Sequence, residues 1–399
     1  MRVPPGRVAL AVTGLCVTLV ACTPEEGAMP RPPEEHGASE ALLSFYVGTY
    51  TDGESRGIYR FTLDPVSGAA SDPVLAVAAE NPSFLALHPN GRFLYAVGER
   101  GDFQGEKTGA VSAFAIDPDS GDLRLLNQRP SLGAGPCHLV VDGSGRSVLV
   151  ANYGSGTVAA LPVGDDGRLG EPASVQAHTG TGPNERRQEG PHAHGIALDA
   201  EERRAVVADL GADRLFVYGF EAATGALTPS DPPAVALVPG AGPRHVAFDL
   251  RGELLYSINE LDSTVTVLRY DAATGGLESV QAISTLPDDF EGESWTAELE
   301  VSPDGRFLYG SNRGHDSLAV FAVDPTSGRL SAVGHVATGG RWPRHFSIDP
   351  SGRWLLAANQ HSESVVVFRL DPESGMPSPV GETVTVPTPV CVLPVPPAP

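Results

Sequence analysis

The chain has 399 residues with a formal net charge of −22, 41% hydrophobic residues, 46 glycines and 36 prolines. That is enough apolar material for a large core but too many turn formers for a helical protein, so an all-β or loop-rich architecture is the first expectation. An acidic surface repels phosphate backbones and anionic headgroups, which excludes nucleic-acid binding and requires a local arginine cluster for any anionic substrate.

At the N-terminus, Arg2 and Arg7 precede an apolar run from Val8 to Val20 that is too short to span a bilayer, the pattern of an export signal. The run ends in Leu19-Val20-Ala21-Cys22, which resembles a bacterial lipobox, where small residues admit the peptidase and the cysteine thiol carries a diacylglycerol. Residues 1–21 are expected to be a lipoprotein signal peptide and Cys22 the lipidated residue. Residues 22–40, rich in Pro, Glu and Gly, are expected to be a disordered tether. An exported, monomeric envelope protein that meets a membrane only through its lipid follows from this. Only Cys137 and Cys391 remain in the folded part, too few for a disulfide scaffold; two buried free thiols are the plain expectation, a single disulfide the alternative.

From there a unit of about fifty residues recurs: a Pro-His or Pro-Arg-His start, an apolar strand, Gly-Arg with a second strand, a polar corner, a third strand, then Asp-Pro-x-Ser-Gly. Copies begin at Asn81-Pro82-Ser83, Gly135-Pro136-Cys137-His138, Gly190-Pro191-His192, Gly242-Pro243-Arg244-His245, Trp295-Thr296-Ala297-Glu298 and Trp342-Pro343-Arg344-His345. Their β-branched and aromatic segments are short, as strands are, and four strands fit each repeat. A seventh unit, Phe45 to Gly68, is incomplete, and Pro389-Val390-Cys391-Val392-Leu393 has the strand character to complete it. The reading is an all-β fold over residues 41–399, a seven-bladed β-propeller of four-stranded antiparallel blades. Its ring is closed by the C-terminal strand pairing with the N-terminal blade, which removes exposed edges.

In an antiparallel blade the start of the innermost strand and the end of the second share one rim. That rim collects Arg244 and His245 with Asn259 and Glu260, Glu298 with Asn312 and Arg313, Arg344 and His345 with Asn359 and Gln360, and His192 with Asp209. Asn152, Asn259, Asn312 and Asn359 recur at one repeat position, which points to a shared turn role rather than chemistry. His192 and His194 lie two apart, on one side of an extended strand, but no third ligand follows at a local spacing, so neither a metal nor another cofactor is expected. Arg244, Arg313 and Arg344 converge from neighbouring blades. Guanidinium groups hold carboxylates in a planar fork and stabilise negative charge developing on a lactone oxygen; pairing with Glu or Asp as blade glue is the alternative.

Several of these motifs together resemble the seven-bladed lactonase family that includes bacterial 6-phosphogluconolactonase and fungal carboxy-cis,cis-muconate cyclase. The specific parts are Gly48-Thr49-Tyr50-Thr51, Ala151-Asn152-Tyr153-Gly154, Arg187-Gln188-Glu189-Gly190-Pro191-His192-Ala193-His194, Asp209-Leu210-Gly211, Gly242-Pro243-Arg244-His245, Asn259-Glu260 and Ser311-Asn312-Arg313-Gly314. The resemblance implies a catalytic set of His192 or His194, Arg244, Glu260 and Arg313. Arg187, Asp209, His245, Glu298, Arg344 and Gln360 are the expected substrate-binding residues around it. It implies hydrolysis of a small, unphosphorylated lactone, with Glu260 or a mouth histidine as general base and the arginines on the oxyanion and carboxylate. Two rival readings use the same rim: a muconate-type cycloisomerase acting on a polycarboxylate, and a non-enzymatic envelope propeller that docks a partner.

Overall fold

The computed structural model describes residues 41–396, so the expected signal peptide, Cys22 and the whole of the tether lie outside the described residues. Seven antiparallel sheets follow one another along the chain, six of them with their strands in sequence order from the centre outward. Blade 1 uses 43–78, and blades 2 to 7 use 85–130, 136–177, 193–236, 243–284, 295–337 and 343–385. Blade 7 has a split outer edge that makes five strands of four positions: Pro377–Pro379 and Val384–Thr385 both pair with the third strand. The innermost strand of blade 1 is Pro389–Val395, paired antiparallel to Leu43–Thr49 with Tyr46 opposite Leu393 and Gly48 opposite Cys391. The ring therefore closes as the incomplete first repeat requires. Phe45, Phe61 and Val392 of blade 1 share one buried cluster with Leu356, Val365 and Val367 of blade 7, which seals the closure by apolar burial.

The second strands Phe93–Gly98, Ser147–Asn152, Leu254–Asn259 and Trp354–Asn359 are buried at every position because a neighbouring blade covers each face. Such strands read as near-continuous apolar runs rather than alternating ones. At the outer rim the Asp-Pro-x-Ser-Gly turn does more than reverse the chain. Tyr46, Tyr95, Tyr256 and Tyr309 donate their hydroxyls to the carbonyls of Gly121, Gly167, Gly328 and Gly375 in the following blade, at 2.7, 3.1, 3.2 and 2.7 Å. Trp354 Nε1 closes the series on Pro65 of blade 1 at 3.3 Å. Burying an aromatic ring while satisfying its polar end makes each such contact a specific blade-to-blade latch.

One irregularity positions the functional side chains. The innermost strand carries a β-bulge near its start, so that Pro136 faces Asn152 but His138 faces Ala151, leaving Cys137 as the extra residue. The same shift makes His194, Arg244 and Arg344 the extra residues of blades 4, 5 and 7. A bulge re-aims side chains that regular pleating would send to alternate faces. Without it, Arg244 and His245 would simply alternate across the strand.

Candidate active site

A cavity of about 630 Å³ opens at the mouth where these bulges lie. Two repeat positions supply its floor and walls. The bulge position contributes Cys137, His194 and Arg344, and the end of the second strand contributes Glu99, Tyr153 and Glu260, each directly after its strand, and Arg313, the last residue of its own. Arg187 reaches in from the loop before blade 4, and Trp295 and Trp342 form part of the wall.

Glu260 is buried and gripped by three guanidinium groups. Arg187 NH2 lies 2.6 Å from Oε1, while Arg313 NH2 and Arg244 Nε lie 2.8 and 3.2 Å from Oε2. Burial alone would raise its carboxyl, but the charges of Arg313, Arg244 and Arg187 outweigh it and hold the group at about 2. Arg244 is itself buried, donating NH1 to Ala297 O at 2.6 Å and to His245 Nε2 at 3.3 Å. Burial and the neighbouring charges of Arg313 and Arg344 bring its guanidinium down to about 9, still a cation at neutral pH. Arg313 NH2 also donates to Thr296 O at 2.8 Å.

A second carboxylate, Glu99, faces the same cavity and no arginine bridges to it. Its Oε2 accepts hydrogen bonds from Tyr50 OH at 2.8 Å and from Ser83 Oγ, while Oε1 has no hydrogen-bond partner among the described residues. Arg344 NH2 donates to the Tyr50 hydroxyl at 2.8 Å and its guanidinium lies over the Tyr50 ring. Sequence reasoning missed Glu99, although the repeat contained the signal: Gly98-Glu99 occupies the register position of Asn259-Glu260.

His194 lines the cavity, with Nδ1 at 3.7 Å from the Cys137 thiol and no hydrogen-bond partner for Nε2 among the described residues. Burial and the Arg244 charge push its pKa well below the ordinary histidine range, so the imidazole is neutral. His192 stands apart from it. Its Nδ1 donates to Tyr153 O at 2.8 Å and its ring stacks on Tyr153, whose hydroxyl accepts from Arg187 at 3.1 Å. The two histidines are thus engaged separately rather than turned toward a common point. Among the described residues no group of three His, Cys, Asp or Glu is arranged to hold a metal ion.

Four other expected contacts lie away from the cavity. Asp209 is fully buried and accepts from His178 Nδ1, His192 N and Ala212 N at 2.6, 2.8 and 2.9 Å, which fixes the loop carrying His192. His245 and Glu298 follow or share the bulge and turn into the channel interior. There Glu298 takes His245 Nδ1 at 2.9 Å and His345 Nε2 at 3.2 Å, and Phe84 packs among His138, His245 and His345. Gln360 opens a single 3-10 turn, with Oε1 buried and unpartnered. Three of the four recurrent asparagines share a backbone-bonding role: Asn152, Asn312 and Asn359 donate Nδ2 to the carbonyls of Ser131, Thr285 and Thr338, whereas Asn259 donates to the hydroxyls of Thr264 and Thr266. Cys137 and Cys391 are separate buried thiols.

A closed ring of seven blades, with arginines, two carboxylates and a neutral histidine around one mouth, defines a propeller built for small oxygen-rich molecules rather than a bare scaffold. The chain belongs to the family described as Lactonase, 7-bladed beta-propeller, whose model matches residues 44–394. It is 44% identical over 295 residues to a 6-phosphogluconolactonase of Bacillus subtilis, covering 74% of this chain and 82% of that protein. Among solved structures it resembles the periplasmic gluconolactonase PpgL of Pseudomonas aeruginosa, with a TM-score of 0.84 and 36% identity over 89% of this chain and 99% of that one. A putative 6-phosphogluconolactonase of Bacteroides fragilis gives 0.83 and 35% over 90% and 99%.

Proposed function

We propose that the protein hydrolyses the ring ester of a small, unphosphorylated sugar lactone, releasing the hydroxy acid. The observation that carries this reading is the pairing of an arginine-locked carboxylate with an unlocked one across one cavity. Glu260 serves to hold Arg187, Arg244 and Arg313 in place, since a carboxyl held at about 2 is a poor proton acceptor near neutral pH. That differs from the base role expected of Glu260, and the difference comes from the number of cations it meets.

In this reading Glu99 takes a proton from water as the water oxygen bonds to the lactone carbonyl carbon. Arg313 and Arg344 stabilise the oxyanion, and the neutral His194 hydrogen-bonds the ring oxygen. The carbon to ring-oxygen bond then breaks, the ring oxygen recovers the proton from Glu99, and the new carboxylic acid loses its remaining water-derived proton to solvent, the resulting carboxylate staying on the arginines until release. Four arginines and three glutamates line the cavity, which suits a neutral ester becoming a monoanion and gives little excess charge for a phosphate or a polycarboxylate. The name of the Pseudomonas relative, a periplasmic gluconolactonase, agrees with an unphosphorylated substrate.

The substrate test is turnover of glucono-1,5-lactone against its 6-phosphate and against carboxymuconate by the purified full chain. Faster opening of the unphosphorylated lactone is expected, and preference for either anion would overturn the reading. We also place the protein outside the cytoplasm as a lipid-anchored monomer, supported by the Leu19-Val20-Ala21-Cys22 motif. Cys22→Ser should shift it from the membrane to the soluble fraction, whereas unchanged partitioning would remove the anchor from the account.

A further inference from the structure

The cavity is larger than a single sugar lactone needs. At about 30 Å³ per water-sized group it has room for roughly twenty such groups, whereas a hexonolactone has about a dozen non-hydrogen atoms. The remaining space is bounded by Trp295 and Trp342, whose ring centroids lie 5.5 Å apart at an interplanar angle of 50°. Both indoles are partly exposed, and neither Nε1 has a hydrogen-bond partner among the described residues. Asn184 and Glu293 line the same cavity and offer an amide and a carboxylate.

Trp342 is the unusual member. Its φ is 65°, in the left-handed region that a bulky side chain rarely adopts. The equivalent position before the inner-strand proline is Gly135 in blade 3 and Gly242 in blade 5, at φ 60° and 64°, and the small polar Asn81 and Thr388 in blades 2 and 1, at 43° and 45°. The fold therefore needs nothing larger than a small residue there. The strain is held by Trp342 N donating to Asp316 Oδ1 at 2.8 Å and by Trp342 O accepting from Gln360 N at 3.0 Å. Arg313 lies over the same ring, 5.5 Å from its centroid, while His361 stacks on it at 4.9 Å, so the indole is clamped in place beside the arginine wall. A bulky aromatic side chain kept in that left-handed conformation at a cavity wall, where the other blades carry glycine or a small polar residue such as Asn81 or Thr388, points to a ligand contact.

We infer that Trp295 and Trp342 form an outer subsite for a second sugar ring, so that the preferred substrate is an aldonolactone carrying a glycosidic pyranose. The inference rests on the lactonase reading above. A pyranose presents a face of C–H bonds that packs on an indole, and its hydroxyls find the free indole N–H groups, the Asn184 amide and the Glu293 carboxylate. The lactone ring then occupies the floor between Glu99 and the arginines. The chemistry is the same water addition: the carbon to ring-oxygen bond of the lactone breaks and the glycosidic bond is untouched.

The test compares kcat/KM for cellobiono-1,5-lactone and glucono-1,5-lactone, each corrected for spontaneous opening, in the parent, Trp295→Ala and Trp342→Gly. The parent is expected to favour the disaccharide lactone at least tenfold, and each variant to lose at least tenfold of that ratio. Trp342→Gly relieves the backbone strain but also loses the ring's contacts with Arg313 and His361, so both lactones are read on one preparation, where a lost ratio reports the subsite rather than a smaller folded fraction. Equal ratios in parent and variants, with gluconolactone still turned over, would overturn the subsite alone. Turnover of neither lactone would overturn the lactonase reading beneath it.

Discussion

Two of the three glutamates that line the cavity, Glu260 and Glu99, are held in opposite ways. On the side formed by blades 5 and 6, Glu260 meets Arg187, Arg244 and Arg313, and its charge is consumed in keeping three cations together. On the side formed by blades 1 and 2, Glu99 meets the hydroxyls of Tyr50 and Ser83 and keeps one oxygen open. The same residue type at the same repeat position thus becomes a charge anchor on one side and, in our reading, a proton acceptor on the other. Partner chemistry decides this: guanidinium groups stabilise only the ionised carboxylate, whereas hydroxyls orient it without cancelling its charge.

Removing the anchor should have the largest effect. Glu260→Gln leaves like charges buried without a counterion and is expected to cost about 3–5 kcal/mol of stability in chemical denaturation. Because the native carboxyl is held at about 2, below its ordinary value, its contribution is present above the ordinary carboxylate range and is lost as pH falls toward 2. The Gln variant should therefore lack that part of the acid dependence; an unchanged curve would mean that the arginines find other partners. Arg313→Met removes a donor to the developing oxyanion and should lower kcat by about a hundredfold, read in steady-state kinetics. A smaller change is expected from Tyr50→Phe, which takes one hydroxyl from Glu99 and frees Arg344: a fall of several-fold in kcat with Tm little altered. Chelator treatment should leave turnover unchanged, and loss restored by one divalent ion would require His192 or His194 to be reassigned.

Much of the fold was legible because the repeat is explicit. Proline starts, Gly-Arg corners and Asp-Pro-x-Ser-Gly turns fix the blade count, and the incomplete first unit demands the strand at 389–395. The site was legible where a rim position held Arg or His, as at Arg244, Arg313 and Arg344. It was not legible where the bulge intervenes. Adjacent residues such as Arg244 and His245 were assigned to one mouth and they touch at 3.3 Å, yet Arg244 turns onto Glu260 and His245 onto Glu298 in the channel, a split that adjacency in sequence does not show. Glu99 escaped notice because blade 2 begins with Asn81-Pro82-Ser83 and lacks the Pro-Arg-His flag of its neighbours, although its register matches that of Glu260. Asp209 was placed at the right rim, but its burial and three hydrogen bonds commit it to the loop.

The division of labour between the two carboxylates is tested most directly by measuring kcat on glucono-1,5-lactone and Tm for Glu99→Gln and Glu260→Gln side by side. The account predicts that Glu99→Gln loses about a hundredfold or more in kcat while melting like the parent, and that Glu260→Gln melts lower but keeps turnover within about tenfold. A stable, inactive Glu260→Gln beside an active Glu99→Gln would contradict it and return the base to the arginine side of the cavity.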